Sequence, residues 1–174
     1  VSEPTKETPA PWWSKAASTW KRDPNLEAVK PVLPARSDPA PDFRATDIEG
    51  EQIDLRRLRG KCVLVNFWGT WCGFCREEAP ILAKLRREYG PRGLEVVGLA
   101  LSEKSPDLHK RYVRDNKLAY LHALATPKIL EDYGDIHEVP VTFLIDREGR
   151  VRYQWEGDRD EESFRAALDR VMRG

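Results

Sequence analysis

Apolar and polar positions change period several times along this chain, and each change marks an element. An apolar run long enough for a strand, Val63-Leu64-Val65-Asn66-Phe67-Trp68, stops at Gly69-Thr70. Its length and composition predict a buried strand. Directly after it the period becomes helical. At about 100° per residue, Glu78, Leu82, Leu85 and Tyr89 fall on one stripe with Ile81 beside it. Gly90-Pro91-Arg92-Gly93 predicts a turn, and Leu94 to Leu101 a second buried strand. Two strands joined through a helix predict a right-handed crossover and a parallel pair.

The flanking segments follow the same logic. Asp42-Phe43 to Gly50 predicts an early strand and turn, and Asp54 to Gly60 a short amphipathic turn carrying Leu55 and Leu58. Ser105-Pro106-Asp107 opens a helix running to about Asn116, with Leu108, Tyr112 and Val113 inward. Leu118 to Leu124 contains a short strand, and Pro127 to Tyr133 a short helix ended by Gly134. Val141 to Ile145 and Arg150 to Trp155 predict an antiparallel hairpin across Asp146-Arg147-Glu148-Gly149. Glu161 to Met172 closes as a helix with Phe164, Leu168 and Val171 on one side. The pattern is that of one α/β domain over residues 42–174, with no internal repeat.

Residues 1–41 differ in kind. They hold eight of the 13 prolines and mostly lack any period of strand or helix, which predicts an extended tether or surface strap. Trp12, Trp13 and Trp20 do not suit a solvated linker. They read either as anchors of the strap on the domain or as a docking site for a partner or membrane interface. The chain begins at Val1, which we read as a mature or trimmed product whose signal or anchor lies outside the sequence. Lysine plus arginine and aspartate plus glutamate both total 29, so no net field recruits nucleic acid. No apolar run approaches the ~20 residues of a membrane helix.

The chemistry sits where the first buried strand hands over to its helix. Trp71-Cys72-Gly73-Phe74-Cys75 places two thiols there, well sited for reversible disulfide exchange. The unpaired N–H groups and dipole of a helix N-terminus favour a thiolate at Cys72. They could lower its pKa from ~8.5 into the range of roughly 3.5–7.5. On the helical projection Cys75 lies about 60° from Glu78, toward the apolar stripe, and Cys72 about 120° away, toward solvent. Cys72 therefore reads as the exposed attacking thiol and Cys75 as the shielded resolving thiol. Glu78 is the anomaly, because a carboxylate within an apolar stripe is costly unless paired or protonated. Pro80 removes a backbone hydrogen bond and predicts a kink just beyond; this brings Glu78 nearer the thiols or is merely structural.

Other polar residues carry weaker signals. Cys62 alternates with Leu64 on one strand face and reads as a small buried apolar residue. His109, His122 and His137 are scattered and read as surface or turn residues, His137 lying three residues before Pro140. The cysteine pair lacks the second pair or histidine spacing of a zinc site, so no metal is expected. Pro140 is either a strand-opening proline or part of a cis Val139–Pro140 bond facing the cysteines. X-Pro bonds are cis in about 5–6% of folded cases, so the local sequence leaves both open.

Phe67 to Cys75, Val139-Pro140-Val141-Thr142-Phe143-Leu144-Ile145-Asp146 and the order of elements between them resemble the thioredoxin superfamily. More narrowly they resemble its TlpA/ResA-like branch of extracytoplasmic thiol-disulfide oxidoreductases, which includes the cytochrome c maturation thioredoxins. The resemblance covers about residues 40–174. It implies a thioredoxin-like fold, a central mixed β-sheet flanked by helices on both faces, with a strand–helix insertion within Ser102–Leu124. It implies the cis bond at Pro140, and Glu78 as the buried acid that tunes and relays protons to the thiols. Asn66 stands where cytoplasmic thioredoxin has a buried aspartate, and the Gly73-Phe74 dipeptide lacks the proline of many relatives.

The expectation is a protein-disulfide reductase with catalytic Cys72, Cys75 and Glu78, and with Trp71, Val139 and Pro140 docking the substrate chain. It needs no cofactor beyond the Cys72–Cys75 disulfide. Its partners are a cysteine-containing protein such as apocytochrome c and a membrane thiol-disulfide reductant. The expected setting is extracytoplasmic, as a monomeric soluble domain anchored to the membrane in a longer chain. The alternatives are a net disulfide oxidant or isomerase, and a copper-delivery module using the two thiols.

Overall fold

The structure, a computed structural model, describes residues 38–101 and 103–173. Trp12, Trp13, Trp20 and nearly all of the proline-rich segment lie outside the described residues. Five strands form one mixed sheet: β3 (Cys62–Trp68), β4 (Leu94–Ala100), β5 (Leu121–Leu124), β6 (Val141–Ile145) and β7 (Val151–Glu156), in the order β5-β4-β3-β6-β7. β3, β4 and β5 are parallel, while β6 and β7 run antiparallel to their neighbours. A separate antiparallel hairpin, β1 (Arg44–Thr46) and β2 (Gln52–Asp54), precedes the sheet. The sequence pattern missed β2, whose three residues contain a single apolar one, Ile53.

Every residue of β3 and of β4 is buried, which explains why both read as unbroken apolar runs. Alternation divides the side chains. Val63, Val65 and Phe67 pack on one face with Val97, Leu99, Phe143, Tyr133, the hairpin residue Ile53 and Phe43 just before β1. Cys62, Leu64, Asn66 and Trp68 lie on the other face. There α1 (Gly73–Tyr89) contributes Leu82, Leu85 and Tyr89, and α4 (Glu161–Met172) contributes Phe164, Ala167 and Leu168. Cys62 is the free thiol and is fully buried, as its strand position predicts.

Two further helices complete the fold, α2 (Pro106–Asp115) and α3 (Pro127–Asp132). The segment within 102–124 thus holds helix α2 followed by strand β5. α2 is turned relative to the sequence expectation. His109 and Val113 are its buried residues, whereas Leu108 is 49% exposed. The apolar pattern placed the inward stripe one residue too early because it counted His109 as polar. α1 runs unbroken through Pro80, which lies on its exposed side. Residues 38–41 already pack on the domain: Ala40 is buried and its N–H donates to the Gly149 carbonyl.

Candidate active site

The reactive pair is set by a change of backbone geometry at the end of β3. Gly69 lies so close to the Trp71 indole that a side chain there would collide with it. Trp71 is pinned by its Nε1–H, which donates to the Leu101 carbonyl at 3.0 Å, yet remains 53% exposed. Thr70 donates from both N–H and Oγ1 to the Glu103 carboxylate, each at 2.6 Å. The loop before the cysteines is thereby tied to the end of β4 at two consecutive residues.

Cys72 is the N-cap of α1, with its Sγ accepting from the Cys75 N–H at 3.2 Å. The two cysteines are joined as a disulfide, with Cα atoms 5.2 Å apart. Cys75 is 2% exposed and Cys72 8%. The order agrees with the helical projection, but Cys72 is more enclosed than that projection predicts. The cause is tertiary: the Val139 carbonyl lies 3.7 Å from Cys72 Sγ, and a helix viewed alone carries no such neighbour. The Val139–Pro140 bond is cis, and Pro140 is buried.

Glu78 lies one helical turn beyond Cys75 and is 2% exposed. Its Oε1 accepts from Asn66 Nδ2 at 3.0 Å and from Thr142 Oγ1 at 3.3 Å. Its Oε2 accepts from the Arg159 backbone N–H at 2.9 Å. Asn66 Nδ2 also donates to Thr142 Oγ1 at 2.9 Å, closing a triangle. Burial disfavours the charged form more than these donors favour it, so the carboxyl is pushed up to about 7. An enclosed acid that gains and loses a proton near neutrality stands one turn from the shielded sulfur.

A family model described as the AhpC/TSA family matches residues 37–154. The chain belongs to the AhpC/TSA family. Among its curated relatives, thiol-disulfide oxidoreductase ResA of Bacillus anthracis is 36% identical over 133 residues, 76% of this chain and 76% of that protein. ResA of Bacillus subtilis (strain 168) is 35% identical over 112 residues, 64% and 62% of the two chains. A thioredoxin-family thiol:disulfide interchange protein from Chlorobium tepidum TLS superposes with a TM-score of 0.74 at 28% identity, covering 80% of this chain and 99% of that one. A DsbF homologue from Corynebacterium diphtheriae, 21% identical, shares the fold with a TM-score of 0.75 over 87% and 98%. This AhpC/TSA protein is a thiol-disulfide oxidoreductase of the ResA-like, thioredoxin-fold kind.

The structure of this AhpC/TSA member brings Cys72, Cys75, Trp71, Val139, Pro140 and Glu78 into one region. Sequence reasoning missed Thr142 and Asn66 as the partners of Glu78, and Glu103 as the anchor of Thr70. The available signal was polar residues at alternate positions, because Asn66 and Thr142 are cross-strand neighbours on the face covered by α1. Among the described residues, no group of three or more His, Cys, Asp and Glu residues is gathered to hold a metal ion.

The histidine assignment is corrected. His109 is 0% exposed and His122 1%, while His137 is exposed. The rings of Trp68, His109 and His122 form a triangle with centroid separations of 5.5–5.9 Å, and Tyr120 lies 4.0 Å from His122. His122 Nε2 pairs with the Leu118 carbonyl at 3.2 Å. Trp68 Nε1, both His109 nitrogens, His122 Nδ1 and Tyr120 Oη make no hydrogen bond among the described residues. Burial holds both histidines neutral: His109 is displaced downward, and His122 falls to about 3.

Proposed function

We propose that this oxidoreductase reduces disulfides of client proteins outside the cytoplasm. The observation that carries the reading is the enclosed Glu78, one helical turn beyond the shielded Cys75, whose carboxyl is pushed up to about 7. Cys72 thiolate, favoured by the N–H groups at the start of α1, attacks one sulfur of the client disulfide. The client S–S bond breaks, one client sulfur leaves as thiolate, and a mixed disulfide joins Cys72 to the other. Cys75 then gives its proton to the Glu78 carboxylate, and the resulting thiolate attacks Cys72 Sγ. The second client thiolate leaves and the Cys72–Cys75 bond closes.

Trp71 and the Val139-Pro140 edge form the dock for the client chain. The half-exposed indole supplies apolar area, and the Val139 carbonyl offers a backbone acceptor beside the sulfur. No cofactor enters beyond the cysteine pair, which a membrane thiol-disulfide reductant would recharge. From the sequence resemblance, the clients include the haem-attachment cysteines of apocytochrome c. The same resemblance supports an extracytoplasmic domain tethered at the outer face of the membrane, and we take it to act as a monomer.

Insulin-disulfide reduction, together with the Cys72/Cys75 potential measured against glutathione, tests this reading. A potential near ~−270 mV with turnover supports the reductase, whereas one near ~−120 mV would make the protein a net oxidant.

A further inference from the structure

The short loop between β7 and α4 reaches both halves of the site from behind. The Gly157 N–H donates to the Pro140 carbonyl at 2.8 Å. Two residues later, the Arg159 N–H donates to Glu78 Oε2 at 2.9 Å. The first bond holds the rim, since Val139 is joined to Pro140 and presents its carbonyl to Cys72 Sγ. The second is the one side of the Glu78 carboxylate not supplied by the sheet, whose donors are Asn66 and Thr142. A continuous linkage therefore runs from Val139-Pro140 through Gly157-Asp158-Arg159 to Glu78. The loop faces outward, with Asp158 exposed and Arg159 half-buried, and Gly157 at φ 81° takes a left-handed conformation that favours glycine.

We propose that this loop is a lever through which a docked client sets the protonation of Glu78. The proposal rests on the reductase reading and on its docking edge. A backbone N–H given to a carboxylate favours the ionised form, so loosening that bond makes the carboxylate a stronger base. A client chain engaging the Val139 carbonyl displaces the rim. Pro140 carries Gly157 with it, and the Arg159 N–H draws away from Glu78. Glu78 then takes the Cys75 proton at the stage when the mixed disulfide needs the Cys75 thiolate. Only a proton moves in this step, from Cys75 Sγ to a Glu78 oxygen.

The other groups facing Glu78 define its baseline. Asp158 opposes its ionisation, the Arg159 guanidinium favours it, and Tyr120 lies within its field. Asn66 and Thr142 are neutral donors fixed on rigid strands, whereas the Arg159 N–H sits on the loop joined to the docking edge.

The test is a carboxyl-carbon NMR titration of Glu78 in Cys75→Ser protein carrying one of two groups on Cys72. One is a methylthio cap, which has no N–H to give to the Val139 carbonyl; the other is a disulfide-linked client peptide. The expected result is a titration at least one pH unit higher with the peptide than with the cap. In Arg159→Pro, which lacks the N–H, the capped protein should already titrate high and the peptide should add nothing. Arg159→Ala keeps the N–H and should retain the peptide response, from a baseline raised by loss of the guanidinium. Equal titration with cap and peptide, or the same response in the alanine and proline variants, would overturn the lever. If Arg159→Pro does not fold, the cap-against-peptide comparison decides alone. Parent protein that exchanges no disulfides would instead defeat the reductase reading.

Discussion

Asn66 donates from the middle of the central strand to Glu78 in the middle of the helix above it, across 3.0 Å. The bond joins two buried positions 12 residues apart, and Thr142 from the neighbouring strand completes the contact. A carboxyl group that belongs in water is thus held inside by neutral donors rather than by a buried counter-charge. Its proton affinity is set mainly by desolvation.

Glu78→Gln keeps much of this hydrogen bonding and removes the acid. Disulfide exchange should slow by roughly 10- to 100-fold, within reach of a lost general base. The break near pH 7 in the parent pH–rate curve should vanish. Stopped-flow fluorescence of Trp71 during a single turnover measures both. Superimposable curves for variant and parent would leave Glu78 a structural role only.

The same group sets a pH dependence of stability with a definite sign. Its folded pKa is raised, so its contribution is fully present below about pH 4.3 and is lost as pH rises toward about 7. The displacement corresponds to about 3 kcal/mol. Urea unfolding at pH 9 should therefore find Glu78→Gln more stable than the parent by up to that amount.

His109 and His122 act in the opposite direction. Their folded pKa values lie below the unfolded value of ~6.5, so their contribution is present above that pH and lost as pH falls, for His122 toward about 3. From about pH 4.5 to 6.5 the acid and the histidines offset one another, and below about 4.5 only the histidine loss continues. Thermal melts should show a shallow plateau followed by a steep acid decline. His122→Phe should flatten that decline; an unchanged acid limb would mean that His122 is already charged in the folded state.

The two sulfurs should separate on mutation. Cys72→Ser should abolish exchange, whereas Cys75→Ser should accumulate the client as a mixed disulfide. Intact mass after incubation with a disulfide-bonded peptide reads the difference. Equal residual turnover in both variants would refute the division of roles.

Gly98 pairs with Asn66 on one side and His122 on the other. A methyl group at Gly98 would sit 2.9 Å from both His122 Nδ1 and Trp68 Nε1, on rings that are buried and cannot swing away. Gly98→Ala should cost about 1–3 kcal/mol in denaturant unfolding. A neutral result would show that the aromatic triangle yields.

What could be read from the sequence follows from which interactions are local. β3, β4 and β6 were legible because strands covered on both faces show it in every residue, and β7 because its buried positions alternate with half-buried ones. The cysteine pair and Glu78 were legible because each is anomalous within its own helix. Thr142 was not read as a partner of Glu78, since their contact spans 64 residues and depends on strand order. The histidines were misplaced because their burial comes from Trp68, Tyr112 and Tyr120, brought together only when α2 crosses over β5. The Arg159 donor is a backbone group, so its side-chain identity does not announce it.

The chain from residue 38 to residue 54 spans the sheet from rim to rim. Asp38 bonds to Val151 at the start of β7 and Ala40 to Gly149 just before it, while Asp47 and Ile48 bond to β5 at the far side. Part of each outermost strand is thereby shielded from the ribbon-to-ribbon stacking by which exposed β-structure aggregates. A visiting strand finds little ladder to extend at the periphery, whereas the Val139 carbonyl stands open to the proposed docking edge beside the sulfur.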